Sequence, residues 1–246
     1  MRVTIAMPAF DEAPNVAAVA YEALAALAAT GQVGELLLVD DGSRDGTSDI
    51  VDALVSQDPR VRAVHHPTNR GFSGAMTTAL REARGEWVFL VPADGQIDMN
   101  ELARFLAAGA EADIVVGVRA HRAERIGRVL LSRAFHTIAK AIFPVPLDEF
   151  SSVFLFRRSL VDAMPIRSRA RAATFLPEVL FRANARHARF VQLLVEPRRR
   201  MGGRAKGAQL SVAFFTFLEL LRLAPLVRWD ELRAARARAH AHPATH

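Results

Sequence analysis

The sequence has no cysteine, and its 246 residues include only two lysines, two tryptophans and one tyrosine. Without cysteine there is neither a disulfide framework nor a thiolate metal site. Long hydrophobic runs are also missing, because the longest candidate, residues 210–227, is interrupted by Glu219, Arg222 and Pro225. Such a stretch does not have the uninterrupted apolar length of a membrane span. The first residues enter a strand directly and show no signal-peptide pattern, so we expect a cytoplasmic protein.

Charge is distributed unevenly along the chain. The net charge is +6. Residues 1–118 contain 8 Lys or Arg and 17 Asp or Glu, whereas residues 119–246 contain 24 Lys or Arg and 9 Asp or Glu. An acidic first half suits metal and sugar-nucleotide chemistry, and a basic second half suits phosphate, anionic lipid or nucleic acid. We expect no nucleic-acid partner, because the sequence has no basic patch with interleaved aromatic residues and no recognition motif.

Apolar strands alternate with helical patterns along the chain. Strands are predicted at residues 3–7, 35–40, 61–65, 87–91, 113–118, 153–157 and 190–196. Helices are predicted at residues 15–29, 47–57, 73–83, 99–110, 124–143, 174–186 and 207–223. Continuous apolar strands are typical of a sheet that helices cover on both faces. The alternation therefore predicts a doubly wound, mainly parallel α/β sheet in one domain with a basic C-terminal extension.

Polar clusters follow four of the predicted strands. They are Pro8-Ala9-Phe10-Asp11-Glu12, Asp40-Asp41-Gly42-Ser43, Asn69-Arg70-Gly71 and Pro92-Ala93-Asp94-Gly95-Gln96. Because ligands bind at the carboxyl ends of parallel strands, we expect the four clusters to converge on one crevice. Any single cluster is explained equally well by a turn or a helix cap, so the prediction depends on the series.

This series resembles glycosyltransferase family 2, whose members adopt the nucleotide-diphospho-sugar transferase fold called GT-A. Within the family, the pattern is similar to that of dolichyl-phosphate and polyprenyl-phosphate glycosyltransferases. The resemblance covers about residues 3–207, including segments 116–119, 132–133, 148–157, 175–178, 182–183 and 200–206. It implies an inverting transfer of a sugar from a UDP- or GDP-sugar to a polyprenyl phosphate. It also implies a protein peripheral to the inner face of the cell membrane.

The resemblance also implies roles for individual residues. It assigns the nucleotide-sugar site to Pro8, Ala9, Glu12, Asp40, Asp41, Asn69, Gly71, Asp94, Gln96, Arg200 and Lys206. By the same resemblance, Asp94 and Gln96 would bind a divalent cation, Mg²⁺ or Mn²⁺. Arg119 and Arg133 would bind the lipid phosphate of the acceptor. The catalytic candidates are Asp94, Asp148 and Glu178. The last two are candidates to take the proton of an acceptor that is a hydroxyl.

One departure from the family pattern bears on the metal. Pro92 stands where the family has the first Asp of its metal motif, which leaves Asp94 as the only acid of that motif. A single carboxylate together with substrate phosphates is still able to hold Mg²⁺. Two alternatives therefore stay open: a transferase of the same fold acting on a soluble hydroxyl acceptor, and a degenerate protein that binds nucleotide sugars without turnover.

We predict three regions along the chain. Residues 1–207 form the GT-A domain, with a nucleotide-binding half at 1–118 and an acceptor half at 119–207. Residues 208–228 form an amphipathic helix, and residues 229–246 form a basic flexible tail. On a helical wheel, Leu210, Phe214, Phe217, Leu218 and Leu221 gather opposite Ser211, Glu219 and Arg222. This apolar face either packs on the sheet of its own domain or lies in the headgroup layer of a membrane.

Overall fold

A computed structural model of the protein describes residues 2–119, 137–147, 153–169, 172–200, 202 and 210–241. The strands are β1 (Arg2–Ala9), β2 (Val33–Asp40), β3 (Val61–His65), β4 (Trp87–Leu90), β5 (Ile114–Arg119), β6 (Phe154–Arg157) and β7 (Phe190–Val195). The helices are α1 (Val16–Ala29), α2 (Thr47–Gln57), α3 (Gly71–Glu82), α4 (Glu101–Ala108), α5 (Arg158–Asp162), α6 (Phe175–Asn184) and α7 (Leu210–Ala241). Residues 137–142 are also helical.

The strands form one seven-stranded sheet in the order β3-β2-β1-β4-β6-β5-β7. Strand β6 runs antiparallel to its neighbours β4 and β5, and the other adjacent strands of the described sheet are parallel. The register pairs Ala9 with Asp40 and Asp40 with His65, so β1, β2 and β3 end side by side. The structure confirms the predicted mainly parallel sheet, and every predicted strand lies within two residues of its observed bounds.

Apolar side chains cover both faces of the sheet. Along β2, Leu36 and Leu38 belong to the core beneath α1, α2 and α4, whereas Leu37 and Val39 belong to the core beneath α3, α6 and α7. Successive side chains of a strand point to opposite faces, so a strand buried on both faces consists almost entirely of apolar residues. This double burial explains why the strands are continuous apolar runs in the sequence.

The C-terminal helix is longer than predicted. Helix α7 runs from Leu210 to Ala241, so residues 229–241, which were expected to be a flexible tail, are helical. This segment is rich in alanine and arginine, which are strong helix formers. Ion pairs from Asp230 and Glu231 to Arg182 also hold it against α6. None of the helices in the described part of the chain combines the length and hydropathy that crossing a bilayer requires.

Candidate functional site

The ends of three central strands are joined at the carboxyl edge of the sheet. The carbonyl oxygen of Pro8 accepts a hydrogen bond from the amide of Ala93 at 3.2 Å. The carbonyl oxygen of Ala9 accepts one from the amide of Asp41 at 2.9 Å. The predicted clusters after β1, β2 and β4 are therefore brought together, at the edge where open α/β sheets bind ligands.

Asp40 ends β2, and its carboxylate forms hydrogen bonds with residues of the following turn, of α2 and of β3. One oxygen accepts a hydrogen bond from the amide of Ser43 at 3.0 Å, and the other accepts one from Ser48 Oγ at 2.6 Å and lies 3.0 Å from His65 Nδ1. Burial alone raises the pKa of Asp40, but hydrogen bonds from Ser43, Ser48 and His65 outweigh it and hold the pKa below its usual value. Asp40, which is only 1% exposed, thus shapes the turn beside the crevice.

Asp41 joins the second and third clusters. One of its oxygens lies 2.6 Å from His66 Nδ1 and accepts a hydrogen bond from the amide of Arg70 at 2.9 Å. The other accepts one from the amide of Gly71 at 2.8 Å. These amides begin helix α3, where the helix dipole favours a negative charge. Asp41 therefore fixes the start of α3 at the crevice.

The turns that follow β1 and β2 are packed tightly against their neighbours. A Cβ on Gly42, whose φ is +72°, would stand 2.7 Å from the amide nitrogen of Asn69, so only glycine fits beneath that loop. Asp11 has a positive φ of 47°, accepts a hydrogen bond from the amide of Arg44 at 2.8 Å and donates its own amide to Ser43 Oγ at 2.9 Å. This packing brings the predicted residue Asn69 beside the Asp40-Asp41 turn.

Arg200 stands between two carboxylates that the sequence assigns to the same site. Its Nη2 donates a hydrogen bond to Glu12, and its Nη1 lies 3.9 Å from Asp94 Oδ2. Its Nε donates to the carbonyl oxygen of Gly202 at 2.9 Å. The side chains of Arg200, Glu12 and Asp94 are all largely buried. Three predicted site residues that are far apart in the sequence thus meet in one ion-pair cluster.

The residues around Asp94 fit a divalent cation for which the protein supplies only some of the ligands. Asp94 Oδ1 accepts a hydrogen bond from the amide of Gln96 at 3.1 Å, and Oδ2 faces the guanidinium of Arg200. Among the described residues there is no group of three or more His, Asp or Glu side chains that could hold a metal ion. Mg²⁺ is commonly held by one or two carboxylates plus substrate phosphates and water. Asp94 suits that arrangement, with the remaining ligands supplied by a bound diphosphate.

The segment after β7 crosses this site, and we call residues 196–200 together with Gly202 the strap. The amide of Arg198 donates to the carbonyl oxygen of Gln96 at 2.8 Å. Its guanidinium pairs with Asp98 at 2.5 Å and with Glu22 at 3.0 Å. Arg198 is not among the residues predicted from the sequence, although its spacing of two residues from Arg200 is the signal that places both side chains on one side of an extended segment.

Glu178, a predicted catalytic residue, lies in a different environment. It is fully buried on α6, where its carboxylate accepts hydrogen bonds from the amides of Arg167 at 2.8 Å and Ser168 at 2.7 Å. Ser168 Oγ donates at 2.7 Å and Arg182 Nε at 2.9 Å. A carboxylate with four donors is poorly available to take a proton from an acceptor hydroxyl. This geometry suits a structural role.

Four of the predicted residues cannot be placed beside this site. Asp148, Arg133 and Lys206 lie outside the described residues, and so does the side chain of Arg119, whose backbone ends β5.

Known proteins with a similar sequence or fold are glycosyltransferases. Residues 4–164 match the family described as Glycosyl transferase family 2. An undecaprenyl-phosphate 4-deoxy-4-formamido-L-arabinose transferase of Pseudomonas aeruginosa is 30% identical over 188 residues, covering 75% of this chain and 55% of that protein. A dolichyl-phosphate beta-glucosyltransferase of Trichomonas vaginalis is 26% identical over 211 residues, covering 78% of this chain and 63% of that protein. The match thus spans 55% and 63% of the length of these two relatives.

A solved structure shares the fold. Glucosyl-3-phosphoglycerate synthase from Mycobacterium tuberculosis, in complex with Mn²⁺, UDP-glucose and phosphoglyceric acid, superimposes with a TM-score of 0.67 at 20% identity. The match covers 91% of this chain and 80% of that one. This likeness confirms the predicted GT-A fold.

Proposed function

The chain belongs to glycosyl transferase family 2, and on that premise we propose that it transfers a sugar from a nucleoside-diphosphate sugar to a polyprenyl phosphate, with inversion at the anomeric carbon. The observation that carries the proposal is the meeting of Glu12, Asp94 and Arg200 at the joined ends of β1, β2 and β4. The acceptor class is suggested by the relatives, whose names specify undecaprenyl phosphate and dolichyl phosphate.

The donor's nucleoside is assigned to the strand ends and its diphosphate to Arg200 and Lys206. Arginine suits this task because its guanidinium donates two parallel hydrogen bonds to phosphate oxygens. Asp94 and Gln96 would hold Mg²⁺ or Mn²⁺ against the diphosphate, and the cation would neutralise charge that develops on the departing nucleoside diphosphate. UDP and Mn²⁺ are the first candidates, because the solved relative of the same fold binds both.

The acceptor phosphate is already an anion, so its attack on the anomeric carbon requires no general base. Its oxygen forms the new bond to that carbon while the bond to the donor's diphosphate breaks and the electron pair leaves with the diphosphate. Positioning and electrostatic stabilisation then supply the catalysis. The burial of Glu178 makes one of the two candidate bases for a hydroxyl acceptor, Asp148 and Glu178, poorly available. Arg119 and Arg133, in the acceptor half at residues 119–207, are assigned to the lipid phosphate by resemblance alone.

Helix α7 supports placement at a membrane surface. It docks on the domain through Leu220, Leu223 and Val227, which are buried. Phe217, Leu218 and Leu221, which the helical wheel placed on one apolar face, are exposed instead of docked. The outer stripe of α7 consists of Leu218, Leu221, Trp229 and Leu232, which are 46%, 51%, 52% and 57% exposed.

Basic residues accompany the outer stripe. The guanidinium of Arg233 lies 4.7 Å from the ring centroid of Trp229, and Arg228 is exposed one residue before that tryptophan. Apolar side chains flanked by arginine are typical of helices that lie in the headgroup layer of anionic membranes. We therefore assign the outer stripe to the inner face of the cell membrane, where a polyprenyl phosphate would present its headgroup.

A transfer assay tests this function. The full chain is incubated with labelled UDP- and GDP-sugars, undecaprenyl phosphate and Mg²⁺ or Mn²⁺, and lipid-linked products are identified by mass spectrometry. We expect one donor to give a glycosyl lipid phosphate and an equal amount of nucleoside diphosphate. Asp94→Asn should abolish the product, whereas Asp162→Asn, an exposed change on α5, should not.

Two results would contradict the proposal. Glycosylation of added saccharides without any lipid product would identify a transferase for soluble hydroxyl acceptors. No turnover of any donor, with nucleotide binding retained, would identify a degenerate nucleotide-sugar-binding protein.

A further inference from the structure

Asn15 occupies the N-cap position of α1, yet its side chain makes no capping hydrogen bond. An N-cap asparagine ordinarily accepts a hydrogen bond from the first helical turn through its side-chain oxygen. Here the residue is 1% exposed, and Asn15 Oδ1 has no hydrogen-bond partner in the described part of the chain. Buried polar atoms without partners are rare and costly. Capping therefore does not explain how this side chain is held.

The amide group of Asn15 is turned toward the strap. Asn15 Nδ2 donates to Glu12 Oε2 at 2.7 Å and to the carbonyl oxygen of Gly202 at 3.2 Å. Arg200 donates to the same two partners, Glu12 through Nη2 and Gly202 through Nε. Asn15 and Arg200 thus bond to opposite oxygens of the Glu12 carboxylate and share the carbonyl oxygen of Gly202. A Cβ on Gly202 would stand 3.0 Å from Pro14 Cβ, so the strap rests directly on the start of α1.

We infer that Asn15 is a positioning residue of the donor site: it ties the strap to Glu12 and so sets where Arg200 stands relative to Asp94. The inference rests on the proposed function, in which Arg200 binds the donor's diphosphate. The other end of the strap is held independently, because Arg198 bonds to Gln96 and Asp98. Loss of the two hydrogen bonds from Asn15 releases only the end that orients the guanidinium of Arg200.

Asn15→Ser separates positioning from capping. Serine is a favoured N-cap residue, so the variant keeps the ability to cap α1, but its short hydroxyl cannot bridge Glu12 and Gly202. We expect an unchanged urea midpoint, a donor KM raised about tenfold and a kcat within about twofold of the wild type, since two modest hydrogen bonds are lost. In the Arg200→Gln background, the same change should add little, because the guanidinium that it positions is already absent.

Asn100→Ser is the matched control. Asn100 is the N-cap of α4, also makes no side-chain capping bond, and is exposed outside the strap. Its substitution should leave both the donor KM and the urea midpoint unchanged.

Hydrogen exchange of the strap gives a readout that needs no donor. The amides of Arg199 and Arg200 should exchange several-fold faster in Asn15→Ser than in the wild type or in Asn100→Ser, whereas the amide of Arg198, which bonds to Gln96, should exchange as in the wild type. Wild-type exchange and wild-type donor KM in Asn15→Ser would overturn the inference. So would a lowered urea midpoint without faster strap exchange, which would indicate a purely structural residue. If the wild type turns over no donor, the proposed function fails, and the exchange measurement alone decides whether Asn15 holds the strap.

Discussion

The carboxylates at the crevice divide into two groups by their partners. Asp40 and Asp41 are saturated by neighbouring hydroxyl, imidazole and amide groups, and they hold the turn after β2 and the start of α3 in place. Glu12 and Asp94 instead face the positive charge of a side chain, the guanidinium of Arg200. These two carboxylates are able to exchange their contact with the guanidinium for contacts with a bound diphosphate and its cation while the fold stays intact. Loss of the hydrogen bonds of Asp40 and Asp41 would instead disrupt the turns that form the crevice. The second group is therefore the one that we expect to respond to the donor.

Glu178→Gln distinguishes a structural residue from a general base. Glutamine keeps the shape of the side chain, but its amide group would point hydrogen-bond donors at the donors of Arg167, Ser168 or Arg182. We expect the free energy of unfolding to fall by about 3 kcal/mol, the scale for a broken buried ion pair. Urea unfolding followed by circular dichroism measures this change.

Glu101→Gln is the control, because Glu101 pairs with the exposed Arg104 on the surface of α4. Its free energy of unfolding should change by less than about 1 kcal/mol. Wild-type stability in Glu178→Gln together with lost turnover would support the general-base role predicted from the sequence.

The sequence predicts which residues belong to the site better than it predicts their bonds. Motif spacing placed Glu12, Asp94 and Arg200 together, and the structure shows their contacts. The same spacing gave Glu178 a catalytic role, although its environment depends on Arg182 and on the docking of a helix about fifty residues away. Motif spacing depends only on which residue types occur at which positions, whereas the burial of a side chain such as Glu178 depends on packing with residues distant in the sequence.

At the scale of elements, α7 is docked by ion pairs as much as by apolar contact. Arg182, fully buried on α6, pairs with Asp230 at 3.0 Å and with Glu231 at 2.8 Å. Glu219 accepts the amide of Arg169 at 3.0 Å and pairs with Arg222. These bonds turn the charged face of α7 inward and leave the outer stripe exposed. Residue periodicity identified the helix, but its length and the face that docks depend on these distant partners.

The outer stripe predicts binding to lipid vesicles. On addition of vesicles that contain anionic lipid, we expect the emission of Trp229 to shift to the blue as its ring enters the headgroup layer. The protein has only two tryptophans, and Trp87 is buried, so the shift reports on α7. Vesicle flotation should show the same binding, weakened by high salt because part of the attraction is electrostatic.

Leu218→Gln combined with Leu221→Gln should reduce vesicle binding severalfold. Leu194→Gln is the control, because Leu194 is 65% exposed on β7, outside the outer stripe. Equal vesicle binding by the two variants would show that the outer stripe does not face a membrane.

At the scale of the whole molecule, hydrogen-bonded carboxylates predict how stability depends on pH. Burial alone raises the pKa values of Asp40, Asp113 and Asp230, but hydrogen bonds and arginine partners outweigh it and hold all three below the usual range. A carboxyl with a lowered folded-state pKa contributes stability above its unfolded-state pKa, and that contribution is lost as the pH falls through the folded-state pKa. We therefore expect the urea midpoint to be steady from pH 7 to 5 and to fall below about pH 4.

Asp40→Asn provides the comparison for this prediction. Since asparagine does not titrate, the variant should lose part of the acid dependence as well as stability at pH 7. A wild-type urea midpoint that stayed level or rose between pH 5 and pH 3 would contradict the assignment.

For the molecule as a whole, we propose that the joined strand ends bind a nucleoside diphosphate together with a divalent cation held by Asp94. Isothermal titration calorimetry of wild type, Asp94→Asn and the control Asp162→Asn with UDP and GDP, each with and without Mn²⁺, tests it most directly. We predict that the wild type and the control bind one nucleotide more tightly with Mn²⁺ than without it. Asp94→Asn should lose this Mn²⁺ dependence. Equal, Mn²⁺-dependent affinity in Asp94→Asn and the wild type would contradict the claim.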